Sequence, residues 1–152
     1  MVFPLSGVKP ASRAYAADAS FVSHLHALLL FFIGGVGYMT MEIVFRGYTH
    51  PSMGICGGVC LILIAYANQR LIRFPLLLRG LAGCAIITAV EFVTGCVVNL
   101  LLHWNVWSYA NQPGNLLGQI CPYFSLLWFL LCLPLMLLLQ ILHRVPSGVR
   151  RT

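Results

Sequence analysis

Residues 80–102 decide the fold, because they read GLAGCAIITAVEFVTGCVVNLLL without a polar interruption longer than one residue. The run carries a single charged residue, Glu91, and it exceeds the ~20 apolar residues that cross a bilayer as a helix. Three further apolar blocks lie at about 21–45, 53–72 and 117–142. We therefore predict an all-α, polytopic membrane protein that forms a bundle of four transmembrane helices.

The composition argues against a soluble protein. Of the 152 residues, 60% are apolar and 8% are charged, whereas soluble domains carry about 25% charged residues. We expect one membrane domain at 21–143, between an N-terminal tail at 1–20 and a basic C-terminal tail at 144–152. The six cysteines form no CxxC or Cys/His zinc pattern, so we expect neither a metal nor another cofactor.

The basic residues predict how the helices are oriented. Eight of the nine Lys and Arg residues lie in the N-terminal tail, the 70–79 connection or the C-terminal tail. The turn between the first two apolar blocks, at 46–51, carries only Arg46. The 103–115 loop, which is rich in Trp and Tyr, carries no Lys or Arg. By the positive-inside rule, both termini are cytoplasmic and this aromatic loop faces outward. Cations scattered in this way favour lipid headgroups over nucleic acid as partners, although the net charge is +6.

Glu91 is the least expected residue in the sequence. It lies near the middle of its predicted helix, where a charged side chain costs at least ~2.5–3.5 kcal/mol on insertion scales. An ionisable residue inside a membrane is therefore a candidate for function. The residues that share its helix face, at steps of three and four, are Thr88, Gly95, Asn99 and His103. We expect this polar stripe to face the bundle interior and to rise toward the aromatic loop.

Two other helices place polar residues in the same, extracytoplasmic half. On the first helix, Tyr38, Glu42 and Arg46 follow one another at steps of four residues. Glu42 precedes Arg46 by four, which is the favourable order for an ion pair on a helix. The fourth helix adds polar groups at its outer end. We predict a polar pocket between helices one, three and four that binds a proton, a cation or a small polar solute. Its candidate residues are Tyr38, Glu42, Arg46, Glu91, Asn99, His103, Trp107, Asn115 and Gln119.

A structural interpretation of each feature stays open. Glu42 and Arg46 can form a pair that anchors the end of the first helix, and Glu91 can bond to a neighbouring helix as polar glue. His103 is typical of a solvated or capping residue at the interface, and Trp107 is typical of an aromatic belt. A Glu/Glu/His metal site lacks any spacing specific to a metal.

Several short motifs occur in a fixed order between Gly37 and Trp128. They are Gly37-Tyr38, Glu42, Leu76-Leu77-Leu78-Arg79, Glu91-Phe92-Val93-Thr94-Gly95, Trp107-Ser108-Tyr109, Asn115-Leu116-Leu117-Gly118-Gln119-Ile120-Cys121 and Trp128. In these motifs the chain resembles the putative ABC-transporter type IV family of bacterial membrane proteins, and it is similar to the related animal transmembrane protein 229 family. One departure is that the family has Trp-Asp-Tyr-Ser where this chain has Trp107-Ser108-Tyr109-Ala110, which leaves open any activity that needs the acid.

Three functions are compatible with the sequence. The first, which the resemblance favours, is a transport-related, permease-like subunit in the cell membrane. The second is a lipid-modifying enzyme, with Glu91 or Glu42 as general acid/base and Arg46 or His103 on an anionic headgroup. The third is a structural or regulatory membrane protein with a polar core. The sequence contains no recognised catalytic motif and no Walker A motif, so ATP hydrolysis would need a separate subunit. The predicted partners are the lipid bilayer and either further copies of the chain or that ATPase subunit.

Overall fold

The structure, a computed structural model, describes the backbone of residues 11–144 and the side chains of residues 24–142. The helices are α1 (Ala11–Arg46), α2 (Pro51–Arg70), α3 (Leu76–Gly95) and α4 (Pro122–Arg144), and a π-helix (Cys96–Leu101) continues α3. The four segments long and apolar enough to cross a membrane are His24–Arg46, Pro51–Arg70, Leu76–Leu101 and Pro122–Leu142. The predicted class, an all-α bundle of four transmembrane helices, is confirmed. Which side the termini face stays a prediction.

The first helix begins earlier than the apolar block that predicts it. α1 starts at Ala11, whereas the span was expected from residue 21. The segment 11–20 is rich in alanine, the strongest helix former, so the helix extends beyond the apolar run. Of the expected tails at 1–20 and 144–152, residues 1–10 and 145–152 lie outside the described part of the chain.

The last helix begins later than predicted, because a turn occupies the expected start near residue 117. Leu117 and Gly118 have φ of 51° and 69°, a left-handed conformation that no helix continues. Asn115 fixes this turn by accepting a 2.9 Å hydrogen bond from the amide of Gly118. Pro122 then opens α4 at the position where a missing N–H costs nothing.

Glycines bring α1 and α2 into backbone contact. A Cβ on Gly34 would lie 2.5 Å from the carbonyl oxygen of Gly57, and one on Gly35 would lie 2.7 Å from that of Gly54. No side chain fits at either position, so small residues set the closest approach of these two helices, as is common in membranes.

The apolar surface and the soft core fit a membrane environment. Val44 and Phe45 are 75% and 80% exposed, and contiguous apolar exposure of this kind marks a surface that contacts a membrane or another protein. The core between α2, α3 and α4 contains small or flexible side chains, among them Cys60, Cys132 and Met136. α2 contacts each of the other three helices, and it therefore lies at the centre of the bundle.

A π-helical turn follows α3 at the end that carries the predicted polar groups. The amide of Leu102 bonds to the carbonyl of Val97, five residues earlier, across 2.9 Å. This wider turn buries both Val98 and Asn99, and π-turns of this kind frequently occur at functional sites.

Candidate functional site

Glu91 joins three helices through its two carboxylate oxygens. Tyr38 on α1 donates its hydroxyl to Oε1, and Trp128 on α4 donates its indole N–H to Oε2 across 2.8 Å. The two donor rings also lie against each other, with centroids 5.6 Å apart. α1 and α4 therefore meet around a side chain of α3 that is only 2% exposed.

No cation balances this carboxylate among the described side chains. The one ion pair in residues 24–142 is Arg46–Glu42, and both donors to Glu91 are neutral groups. A buried charge without a partner is costly. Glu91 is thus a group on which the presence or absence of a proton has a large energetic consequence.

Glu42 lies one helical turn after Tyr38 and is held by two donors. Arg46 Nη1 bonds to Oε1 across 2.8 Å, and Thr49 Oγ1 donates to Oε2 across 2.7 Å. The guanidinium also contacts the ring of Tyr48, whose centroid lies 4.7 Å from its central carbon. The predicted ion pair is therefore present and ties the end of α1 to the segment before α2.

The backbone of Val106 connects this pair to the end of α3. Its carbonyl accepts a 2.6 Å bond from Arg46 Nη2, and its amide donates to Asn99 Oδ1 across 2.7 Å. Asn99 in turn donates to Gln119 Oε1 across 2.8 Å. A continuous chain of hydrogen bonds thus runs from Glu42 to Gln119.

Gln119 is the other end of that chain and it also organises the loop above it. Its side-chain N–H₂ donates to the carbonyl of Leu117, and its backbone carbonyl accepts a hydrogen bond from the indole N–H of Trp107 across 3.0 Å. Gly95 lies directly beneath, since a Cβ there would approach Gln119 Oε1 to 2.5 Å. Trp107 is therefore buried within the protein, whereas a residue of an interfacial aromatic belt would be exposed.

Two predicted site residues lie apart from these groups. His103 is exposed, has a φ of 55° and contributes only its carbonyl, which accepts from Asn105. Asn115 holds the loop by donating to the carbonyls of Ala110 and Gln112.

Loop residues around the family departure also have local roles. Ser108 Oγ accepts from the amide of Ala110 across 3.3 Å, a turn contact that an aspartate also makes. Tyr109 stacks on Phe124 with ring centroids 4.5 Å apart. Burial raises the pKa of the Tyr109 hydroxyl above its usual range, so this phenol stays protonated in moderate alkali.

Four of the predicted pocket residues are buried inside the bundle. Glu42, Glu91, Asn99 and Gln119 are each 6% exposed or less, and they bond to neighbouring groups of the protein. Among the described side chains, no group of three His, Cys, Asp or Glu residues is placed to hold a metal.

Three groups at this site were not predicted as site residues. Trp128 was named only as part of a motif, although an indole N–H within a lipid-embedded helix needs an acceptor, and Glu91 is a strong one. Thr49 lies between α1 and α2, where a lone hydroxyl group gives no distinctive sequence signal. The backbone of Val106 carries no side-chain signal that a sequence pattern can reveal.

These features define the class: an integral, multi-pass membrane protein of four helices with a buried polar network at one end of the bundle. The model of the family described as Putative ABC-transporter type IV matches residues 42–148, more than half of the chain, and the protein belongs to that family. It is accordingly a transport-related protein of the cell membrane. No curated protein and no solved structure showed a match to the chain. The relation to the animal transmembrane protein 229 family stays a prediction.

Proposed function

We propose that this protein is a permease-like membrane subunit in which Glu91 binds and releases a proton during transport. The observation that supports this role is a buried carboxylate held by two neutral donors, with no cation in bonding distance among the described side chains. Of the ligands considered for the site (a proton, a cation and a small polar solute), a proton alone needs no cavity beside the carboxylate.

The two donors respond differently when Glu91 takes a proton. The indole N–H of Trp128 can only donate, so it keeps Oε2 as its acceptor in both states. The hydroxyl of Tyr38 both donates and accepts, so it can receive the new O–H of Glu91 and turn its own proton away. Tyr38 is then the side that switches and Trp128 the side that stays fixed.

A switch at Tyr38 acts on α1 because the hydrogen bond from Tyr38 to Glu91 links that helix to α3. Tyr38 lies one turn from Glu42, which begins the hydrogen-bonded chain through Arg46 and Val106 to Asn99. A change at Glu91 therefore reaches the loop end of the bundle through contiguous bonded groups. Any ATP-driven step would come from a separate ATPase subunit, since this chain carries no Walker A motif.

A structural role is a second candidate, favoured by the same pair of bonds. In this alternative Glu91, with both oxygens occupied, has the single role of holding α1 and α4 against α3, and it would then keep one protonation state. Among the described residues no contact favours the enzymatic alternative, because Arg46 is occupied by Glu42 and Val106, and His103 lies apart from both carboxylates.

Glu91→Gln separates the two candidates, because a glutamine preserves the shape of the site. Its carbonyl can accept from Trp128 and its N–H₂ can donate to Tyr38, so both bonds remain. The amide, however, cannot gain or lose a proton as the carboxyl group does. The measurement is tryptophan fluorescence of the purified protein as a function of pH, with Trp128→Phe identifying the signal of that ring and Glu42→Gln as the matched control. We expect a transition in the wild type and in Glu42→Gln that is absent in Glu91→Gln. The same transition in Glu91→Gln, or none in the wild type, would contradict the proton role.

A further inference from the structure

Arg79 is buried at the opposite end of the bundle from the Glu91 site. It lies on the first turn of α3, is only 4% exposed, and is enclosed by the end of α2 and the last turns of α4. Its Nη1 donates to Asn68 Oδ1 and to Gln140 Oε1, each across 3.0 Å. Asn68 is itself fixed by a 3.1 Å bond to the carbonyl of Met136. Two amides from two helices therefore hold one edge of the guanidinium in place.

This cation has no counter-charge among the described residues. The guanidinium is always protonated, so burial cannot be relieved by loss of a proton. The carboxylates with described side chains are Glu42 and Glu91, and Glu42 is the one that forms an ion pair, with Arg46. Glu91 lies on the same helix but ~18 Å further along its axis. The amide oxygens of Asn68 and Gln140 supply dipoles and no net charge.

The free edge of Arg79 has the geometry of an oxyanion receptor. Nε is buried and makes no hydrogen bond, and Nη2 bonds to no described residue. These two N–H groups point in parallel from one side of the guanidinium, and that fork matches two oxygens of a phosphate or a carboxylate.

We propose that this edge binds the phosphate group of an anionic lipid headgroup or of a soluble phosphate compound. The position favours phosphate, since Arg79 lies at the end of the bundle where Arg70 and Arg73 are exposed. That end is predicted to face the cytoplasmic leaflet, where anionic headgroups attract clustered cations. The anionic phosphate would neutralise the charge of the Arg79 guanidinium, which the protein has already desolvated and oriented.

The binding test uses native mass spectrometry of the full-length protein in mild detergent, with phosphatidylglycerol compared against phosphatidylcholine. We expect the wild type to retain one phosphatidylglycerol molecule and Arg79→Lys, which keeps the charge but loses the fork, to bind it about tenfold more weakly. Arg73→Gln, which removes an exposed arginine of the same connection but keeps the Arg79 fork, should weaken binding by less than Arg79→Lys does. Equal binding by the wild type and Arg79→Lys would overturn the proposal, and so would a wild type without preference for the anionic lipid.

Two further arms locate the site and identify the source of the phosphate. A phosphatidylglycerol with a photoreactive group beside its headgroup should crosslink to wild-type peptides from the 68–79 segment or around Gln140. This result needs no variant to fold, and crosslinks confined to other segments would overturn the site. Inorganic phosphate added to lipid-free protein should raise its thermal unfolding temperature if the ligand is soluble, whereas protection by phosphatidylglycerol alone assigns the lipid. Failure of both phosphates to protect would overturn the proposal, and none of these outcomes bears on Glu91.

Discussion

The indole of Trp128 and the carboxylate of Glu91 are joined by a 2.8 Å hydrogen bond between α4 and α3. The other oxygen of the same carboxylate accepts the hydroxyl of Tyr38 from α1. The side chain of Glu91 on α3 thus accepts one hydrogen bond from α1 and one from α4. Because lipid offers no alternative partners, this junction fixes how three of the four helices meet.

We predict that Tyr38→Phe and Trp128→Phe each destabilise the protein and that their effects are not additive. Each variant removes one donor from Glu91, and loss of a bond to a buried polar group costs about 1–3 kcal/mol. Because both donors serve one carboxylate, we expect an interaction energy of about 0.5–3 kcal/mol in the double-mutant cycle. Denaturation in detergent measures it, and strictly additive effects would show that the two bonds are independent.

Helix α1 should depend on the glycine contact with α2. Gly57→Val places side-chain atoms where a Cβ already meets the Gly34 carbonyl oxygen at 2.6 Å, so the helices must separate. The control is Gly37→Val, since a Cβ on Gly37 has no neighbour within 4 Å. We expect a strong loss of folded yield and of unfolding temperature for Gly57→Val alone. Similar losses for both variants would mean that valine harms a transmembrane helix for reasons unrelated to this contact.

The loop that contains Trp107 should loosen when Arg46 loses its fork. Arg46→Lys can keep the bond to Glu42 but cannot also reach the carbonyl of Val106, which now receives a 2.6 Å bond. The readout is the rate of proteolysis in the 103–115 loop of the purified protein, and we expect it to rise. Arg70→Lys is the matched control, because the contact of Arg70 within the described part of the chain is with the ring of Tyr66. An unchanged rate in Arg46→Lys would show that this bond does not hold the loop.

Orientation is testable with introduced cysteines. The distribution of Lys and Arg predicts that Asn111 lies outside the cell and Arg73 inside. A membrane-impermeant maleimide should therefore label Asn111→Cys in intact cells and Arg73→Cys only after permeabilisation, above the background of the wild type. The reverse pattern would invert the topology and place the Glu91 network toward the cytoplasm.

Much of the fold follows from sequence because hydropathy reports lipid exposure directly. Four apolar runs predict four spans, and the periodicity of Glu91 and Asn99 correctly assigns both to an inward face. Helix ends are less determined by hydropathy. The turn at Gly118 delays α4, and the alanines after residue 10 extend α1, since backbone conformation and helix propensity decide these boundaries.

Partners across helices are what the sequence leaves undecided. Arg79 is one of three arginines in a basic connection, and sequence assigns all three to topology, yet only Arg79 turns inward to Asn68 and Gln140. Residue spacing predicts neighbours on one helix, as it does for Glu42 and Arg46. It cannot show that Trp128, on another helix, lies at the height of Glu91, because that depends on how the helices pack.

The central claim, that Glu91 exchanges a proton within its junction, is tested most directly by infrared spectroscopy of the reconstituted protein. The chain has only three acidic residues, so the difference between the wild type and Glu91→Gln isolates one carboxyl signal. We predict that this signal changes reversibly between carboxylate and carboxylic acid as the pH is lowered, while the signal of Glu42, identified with Glu42→Gln, is unaffected by Glu91→Gln. A Glu91 signal that stays in one form over the whole pH range in which the protein remains folded would contradict the account and leave Glu91 as a structural junction.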